Sequence, residues 1–178
     1  MNKLNPMEKN ELVDLVDASG VIIKTAIPRS EAEVLNGEKL HIPIIGCVVL
    51  NDIGEVLVHE RAKGKRFAGS LDNVYGAIAS GETPEHAAER ECGEELGIAV
   101  AKITRVGEFV NKFNYYQYLF AVSTADIPTK ISKREVAWAR YMPVEELRAG
   151  RDDGSLSFTH NFFTDLEAVL TKLDTSNT

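Results

Sequence analysis

Between residues 76 and 98 the chain reads GAIASGETPEHAAERECGEELGI, and no other stretch of its 178 residues limits the possible fold so sharply. Thr83 is a good N-cap. Pro84 suits the first helical position, where its missing N–H would have no partner, and Gly97 is a typical residue just past a helix end. These signals predict a helix over residues 84–96, entered from a strand over residues 71–79 through Ser80 and Gly81. On such a helix Glu91 stands three residues before Glu94 and four before Glu95, so helical periodicity gathers their carboxylates on one stripe. Like charges this close repel, and a stripe offering only oxygen ligands suits hard Mg²⁺ or Mn²⁺ rather than zinc. Arg90 can fork two hydrogen bonds to a carboxylate and fix its rotamer. The plain alternative is a solvated acidic helix face. Two glycines argue against it: Gly93 sits inside the helix at about 1 kcal/mol relative to Ala, and Gly76 interrupts an apolar strand, which suggests close backbone approach.

Gly76, Glu82, Arg90, Glu91, Glu94, Glu95 and Gly97, with apolar Cys92 and Ile98 at their places, fill the Nudix box pattern completely. The segment therefore resembles the Nudix hydrolases, a resemblance that implies an α/β/α sandwich with a mixed sheet and Mg²⁺ as cofactor, with Mn²⁺ as a substitute. It implies water attack on phosphorus in a nucleoside diphosphate linked to another moiety. Carried over by position, Glu91 and Glu95 are the principal metal ligands, Glu94 a further ligand or base, and the Gly76 carbonyl an additional ligand. Arg90 orients the glutamates, and Glu82 holds the loop or a water. A carboxylate from a distant loop often completes such sites; Glu135, ahead of Trp138 in EVAW, is the candidate, its alternative being an ordinary loop carboxylate beside Arg134. The expected catalytic set is thus Arg90, Glu94, Glu95 and Glu135.

The rest of the chain reads as short strands with interspersed helices. Residues 12–17 and 21–27 flank Ala18-Ser19-Gly20 as a hairpin. Ser30 and Glu33 form a capping-box pattern for a short helix ending at Asn36-Gly37. Residues 41–50 and 56–61 flank the turn Asn51-Asp52-Ile53-Gly54, a second hairpin by turn chemistry. Strands are expected over 99–110, 115–122 and 136–141, a short helix from Pro143 to Gly150, and a last helix over 159–173 with Phe162, Phe163, Leu166, Val169, Leu170 and Leu173 on its apolar face. One domain spanning 1–178 is expected, with flexible ends at 1–10 and 174–178.

With 44% hydrophobic and 26% charged residues the chain can bury a sizeable core, and its net charge of −7 argues against broad binding to nucleic-acid phosphates. The two cysteines, Cys47 in an apolar strand and Cys92 on the box helix, read as buried small hydrophobes, not as a disulfide or zinc site. His41, His59, His86 and His160 show no metal-ligand spacing. The opening MNKLNPMEKN carries no apolar run, and no segment approaches 18 apolar residues, so a cytoplasmic location without membrane contact is expected.

Arg61, Lys63, Lys65 and Arg66 cluster in a glycine-containing loop, where they are candidates to contact substrate phosphates, with Arg61 and Lys63 preferred and Lys65 beside them; a solvated loop is the alternative. Phe109, Phe113, Tyr115, Tyr116 and Tyr118 gather around a hairpin, either as core or as a ring to stack on a base. LVDLVDASGVIIKTAIPRSEA, then Leu40-His41, the basic loop and the box resemble a narrower branch, the Nudix proteins similar to isopentenyl-diphosphate isomerase. That reaction uses a cysteine just before the box glycine, a glutamate on a later strand and metal-binding histidines. Here Asn73-Val74-Tyr75 precede Gly76, no Asp or Glu lies between Glu108 and Asp126, and His41 has no upstream histidine partner. The reading is a Mg²⁺-dependent pyrophosphohydrolase of a nucleoside diphosphate derivative or related small diphosphate. Its alternatives are an ADP-ribose or dinucleotide pyrophosphatase, an isomerase-like enzyme and a non-catalytic ligand-sensing domain. By analogy with the family, a homodimer is compatible with this sequence.

Overall fold

The computed structural model describes residues 10–37 and 39–176. Strand β3 (Pro43–Leu50) organises it, because its side chains alternate between two faces and both faces are apolar. Ile45, Cys47 and Val49 point into one core and Val48 and Leu50 into another. Helices cover both. The first face packs against Ala87, Ala88, Cys92 and Leu96 of the box segment, and the second against Leu147, Phe162, Leu166 and Val169 of the C-terminal helices. The α/β/α sandwich is thus present, and burial of a side chain such as Phe162 contributes about 1.5–3 kcal/mol.

The sheet is mixed. β3 runs parallel to β8 (Tyr116–Ser123), which pairs antiparallel with β7 (Lys102–Val110). Its other edge is divided between two antiparallel partners: β6 (Val74–Ala77) takes Ile44 to Cys47, and β4 (Val56–Arg61) takes Val49 and Leu50. β4 continues the sheet through β5 (Leu71–Asp72) and β9 (Val136–Met142). The strand expected over 71–79 is therefore two short strands with different partners, broken at Asn73. A separate ribbon of β1 (Leu12–Val16) and β2 (Ile22–Pro28) packs through Val13 and Leu15 onto Ile42 and Ala77.

Four helices complete the described fold: α1 (Arg29–Leu35), α2 (Pro84–Glu91), α3 (Val144–Asp152) and α4 (Phe162–Ser176). α2 begins as its sequence demands, with the Thr83 hydroxyl accepting from the His86 N–H at 3.2 Å, a cap worth about 1 kcal/mol. Its second half departs from expectation. From Cys92 to Leu96 the chain widens into a π-helical turn, closed by Gly97 in the left-handed region at φ 65°. The expected capping box of α1 is also absent as such: Pro28 precedes the helix without a side-chain cap, and Glu33 accepts instead from Arg29 and from the Tyr115 hydroxyl. A charged donor outcompetes a backbone amide for a carboxylate. α3 runs on through Gly150, whose missing Cβ makes room for Leu156, so this glycine serves packing rather than termination. Of the expected flexible ends, residues 1–9 and 177–178 lie outside the described residues, while 174–176 belong to α4. Among the described residues no helix is long and apolar enough to cross a membrane.

Candidate active site

Arg90 is the mechanical centre of the box. Its Nε and Nη2 donate to both oxygens of Glu82, each at 2.9 Å, Nη1 donates to Glu91 at 2.7 Å, and Nη2 also reaches the Ala77 carbonyl at 3.0 Å. Glu82 in turn accepts from the Ala79 N–H at 3.1 Å. One guanidinium thereby ties the end of β6, the loop and α2 together. Burial pushes the Glu82 carboxyl up, but the bonds from Arg90 outweigh it and hold the group below its usual range.

Glu91 lies against the backbone of β6. A Cβ on Gly76 would come within 2.1 Å of the Glu91 carboxyl, so only glycine lets the carboxylate occupy this place. Burial, opposed by Arg90 and reinforced by the charges of Glu94 and Glu11, raises its pKa to about 7. Glu95 is pushed well above its usual range, first by burial and then by the charges of Glu91, Asp72 and Glu135. Its Oε2 is sealed from solvent, and no described residue donates to it. Glu94 differs: its side chain is 63% exposed and touches Arg90 only at 3.5 Å. The even stripe expected from α-helical spacing is thus unequal, because the π-turn re-aims the residues after Glu91.

These groups line a cleft of about 1120 Å³ together with Gly76, Arg61, Lys65, Asp72 and Glu135. Glu135, far away in sequence, does reach the cleft, where it pairs with Lys65. Arg61 is held at its inner wall, donating to Asp72 at 2.7 Å and to the Arg66 carbonyl at 2.7 Å. Asp72, which also accepts from the Thr159 hydroxyl, is raised to about 6 by burial in spite of Arg61. Lys63 is exposed and does not line the cleft, because the turn bonded from Lys65 N–H to Ala62 carries it outward. Of the aromatic group, Phe113 and Tyr115 line the cleft, Tyr116 is buried, and Tyr118 packs on the core. Sequence reasoning missed Asp72, Phe67, Thr159 and His160, which reach the cleft from separate segments.

As placed, no three of the described histidine, cysteine or acidic side chains stand in chelating proximity. The donor set nevertheless fits a hard divalent cation: carboxylate oxygens that feel one another's charge, one of them buried without a donor. Cys47 and Cys92 are buried in the core and outside this set.

The NUDIX domain profile matches residues 40–162, which contain the whole cleft apart from its rim at Glu11 and Arg29. The chain belongs to the Nudix hydrolase family. An uncharacterized Nudix hydrolase of Listeria monocytogenes is 34% identical over 130 residues, covering 67% of this chain and 76% of that protein. An isopentenyl-diphosphate Delta-isomerase of Corynebacterium diphtheriae is 33% identical over 111 residues, covering 61% and 59%. Among solved structures, the DR0079 protein of Deinococcus radiodurans shares the Nudix fold with a TM-score of 0.70 at 22% identity, covering 85% of this chain and 94% of that one. Nudix hydrolases are generally pyrophosphohydrolases that act on small diphosphate substrates with divalent metals such as Mg²⁺ or Mn²⁺.

Proposed function

We propose that this Nudix hydrolase, acting as a single domain, is a Mg²⁺-dependent pyrophosphohydrolase of a nucleoside diphosphate derivative or a related small diphosphate. The observation that carries the reading is Glu95, whose sealed and undonated Oε2 sits among the charges of Glu91, Asp72 and Glu135. A carboxylate kept so is costly unless a cation satisfies it. Glu91, Glu95, Glu94 and the Gly76 carbonyl would hold the ion. Bound divalent cations supply Lewis acidity at phosphoryl oxygens and a water of lowered pKa.

The chain's own residues do the rest. Arg90 fixes the rotamer of Glu91 and anchors the loop through Glu82, so the ligands are preorganised. Glu94 and Glu135 are the carboxylates available to take the proton of the attacking water. As the water oxygen bonds to phosphorus, the anhydride P–O bond breaks and the leaving phosphate departs with its electron pair. Arg61 and Lys65, already neutralised by Asp72 and Glu135, shape the wall on the phosphate side.

The cysteine that the resemblance to isopentenyl-diphosphate isomerases implies just before the box glycine is not present here. Tyr75 precedes Gly76, and its hydroxyl is engaged with Asp165 at 2.6 Å. The deciding experiment measures phosphate and nucleotide release from nucleoside di- and triphosphates, ADP-ribose, dinucleotides and isopentenyl diphosphate, with Mg²⁺, with EDTA, and with Glu95→Gln. Metal-dependent hydrolysis that Glu95→Gln abolishes is expected. Turnover that persists in EDTA, or isomerisation without hydrolysis, overturns the reading.

A further inference from the structure

Six cations line the cleft: Arg29, Arg61, Lys65, Arg66, Arg90 and Arg134. Arg29 is paired with Glu11 and Glu33, Arg61 with Asp72, Lys65 with Glu135, and Arg90 with the box glutamates. Arg66 and Arg134 have no carboxylate partner among the described residues, and of these two it is Arg66 whose guanidinium lies over two rings, 4.7 Å from the centroid of Phe67 and 5.5 Å from that of Phe113. His160 closes the group, with its ring 4.9 Å from Phe67 and 6.1 Å from Phe113.

These residues come from three segments far apart in sequence, and each is held in place. The Arg66 carbonyl accepts from Arg61 Nε at 2.7 Å, and the Phe67 carbonyl from the Ser70 N–H at 3.1 Å. The Asn111 side chain accepts from the Phe113 N–H at 2.9 Å and from the Tyr115 N–H at 3.2 Å. Lys112 Nζ donates to the His160 carbonyl at 3.0 Å and so links the second segment to the third. Phe67 is kept at φ 59°, a region that a residue with a Cβ enters at a cost. The cost is borne although the ring is left partly exposed on the cleft wall instead of completing a core.

We propose that Arg66, Phe67, Phe113 and His160 form a subsite for a flat heteroaromatic ring, the base of a nucleotide whose phosphates lie toward Glu91 and Glu95. The inference rests on the hydrolase reading for the direction in which the nucleotide lies. Lys112 Nζ also lies over the Phe113 ring, at 5.4 Å. The planar guanidinium set over these rings offers a flat cation on which a base can stack while keeping N–H donors for a base carbonyl or ring nitrogen. An isoprenyl chain has no acceptor for those donors and would strip water from the cation without return. The chemistry of this wall therefore selects a nucleotide over an alkyl diphosphate.

The test is calorimetric binding of adenosine and uridine 5′-monophosphates against ribose 5-phosphate, in EDTA, to the wild-type chain, Phe113→Leu and Arg66→Gln, with thermal denaturation as a check on folding. The nucleotides should bind at least about tenfold more tightly than ribose 5-phosphate, and Phe113→Leu should remove about 5- to 100-fold of nucleotide affinity while leaving ribose 5-phosphate binding as it was. In steady-state hydrolysis of a nucleotide substrate the loss should appear in KM. Equal binding of nucleotide and ribose 5-phosphate by the wild type, or parallel losses for both ligands in Phe113→Leu, overturns the subsite. A nucleotide preference that persists in a chain hydrolysing nothing supports the subsite and removes the hydrolase reading alone.

Discussion

Replacing Gly76 by alanine is the sharpest test of how the box is assembled. The added methyl would lie 2.1 Å from Glu91 Cδ and Oε1 and 2.4 Å from Cγ, whereas ordinary contact begins near 3.4 Å. The carboxylate must therefore retreat by about 1.3 Å, or β6 must move. β6 is paired along its length with β3, and Glu91 is a side chain, so Glu91 gives way. In doing so it leaves Arg90, forfeiting a hydrogen bond to a charged partner worth about 1.5–3 kcal/mol. Gly76 does not adopt a left-handed φ, so backbone strain adds nothing to this cost. A displacement of this size in a catalytic constellation costs about 10²-fold in rate, and overpacking costs about 1–3 kcal/mol in stability. The assay is Mg²⁺-dependent hydrolysis together with urea denaturation, run as a cycle with Glu91→Ala. With the Glu91 carboxyl removed, Gly76→Ala should cost almost nothing further in stability. A Gly76→Ala enzyme with unchanged kcat and unchanged urea midpoint would refute the reasoning, and so would a full stability loss in the Glu91→Ala background.

Other expectations follow from the same geometry. Glu95→Gln should lower kcat about 10²-fold or more with the fold retained, as checked by circular dichroism alongside turnover. Arg90→Lys keeps the charge but not the fork that spans Glu82, Glu91 and Ala77, and should lower both kcat and the melting temperature, while Lys63→Ala, outside the cleft, should leave kinetics within about twofold. Asp165 is raised from 3.8 to about 6, first by burial, so the folded state retains a proton that the unfolded state has already released. Its contribution is present below about pH 4 and is lost as pH rises through about 6, a change on the order of 2–3 kcal/mol. Asp165→Asn can still accept from Tyr75 and Gln117 and should flatten that part of the stability profile measured by urea melts from pH 4 to 7; an unaltered slope would be the contrary result.

The box was legible in the sequence because its chemistry is local. Thr83, Pro84 and Gly97 mark the helix, and Arg90 reaches partners within the same short segment. Three kinds of information were not legible there. The π-turn depends on hydrogen bonding rather than residue type, so the spacing of Glu91, Glu94 and Glu95 suggested an even stripe where the structure has a buried and an exposed member. The basic loop looked uniform until Asp72 and Glu135 were seen to pair with Arg61 and Lys65, which leaves Arg66 as the loop cation set over aromatic rings. The ring group itself joins Phe67, Phe113 and His160 across nearly a hundred residues, and no periodicity connects them. The two hairpins, by contrast, followed from turn chemistry and were found as expected.

The Arg90 knot has a consequence for how such an enzyme changes over generations. Glu82, Glu91 and the Ala77 carbonyl are held by one side chain within fifteen residues, while the wall of Arg66, Phe67, Phe113 and His160 is drawn from three other segments of the chain. Substitutions at these four rim positions can therefore alter the cleft wall without touching the carboxylates that Arg90 holds. In a chain built this way, the part that holds the carboxylates and the part that lines the rim are open to substitution separately.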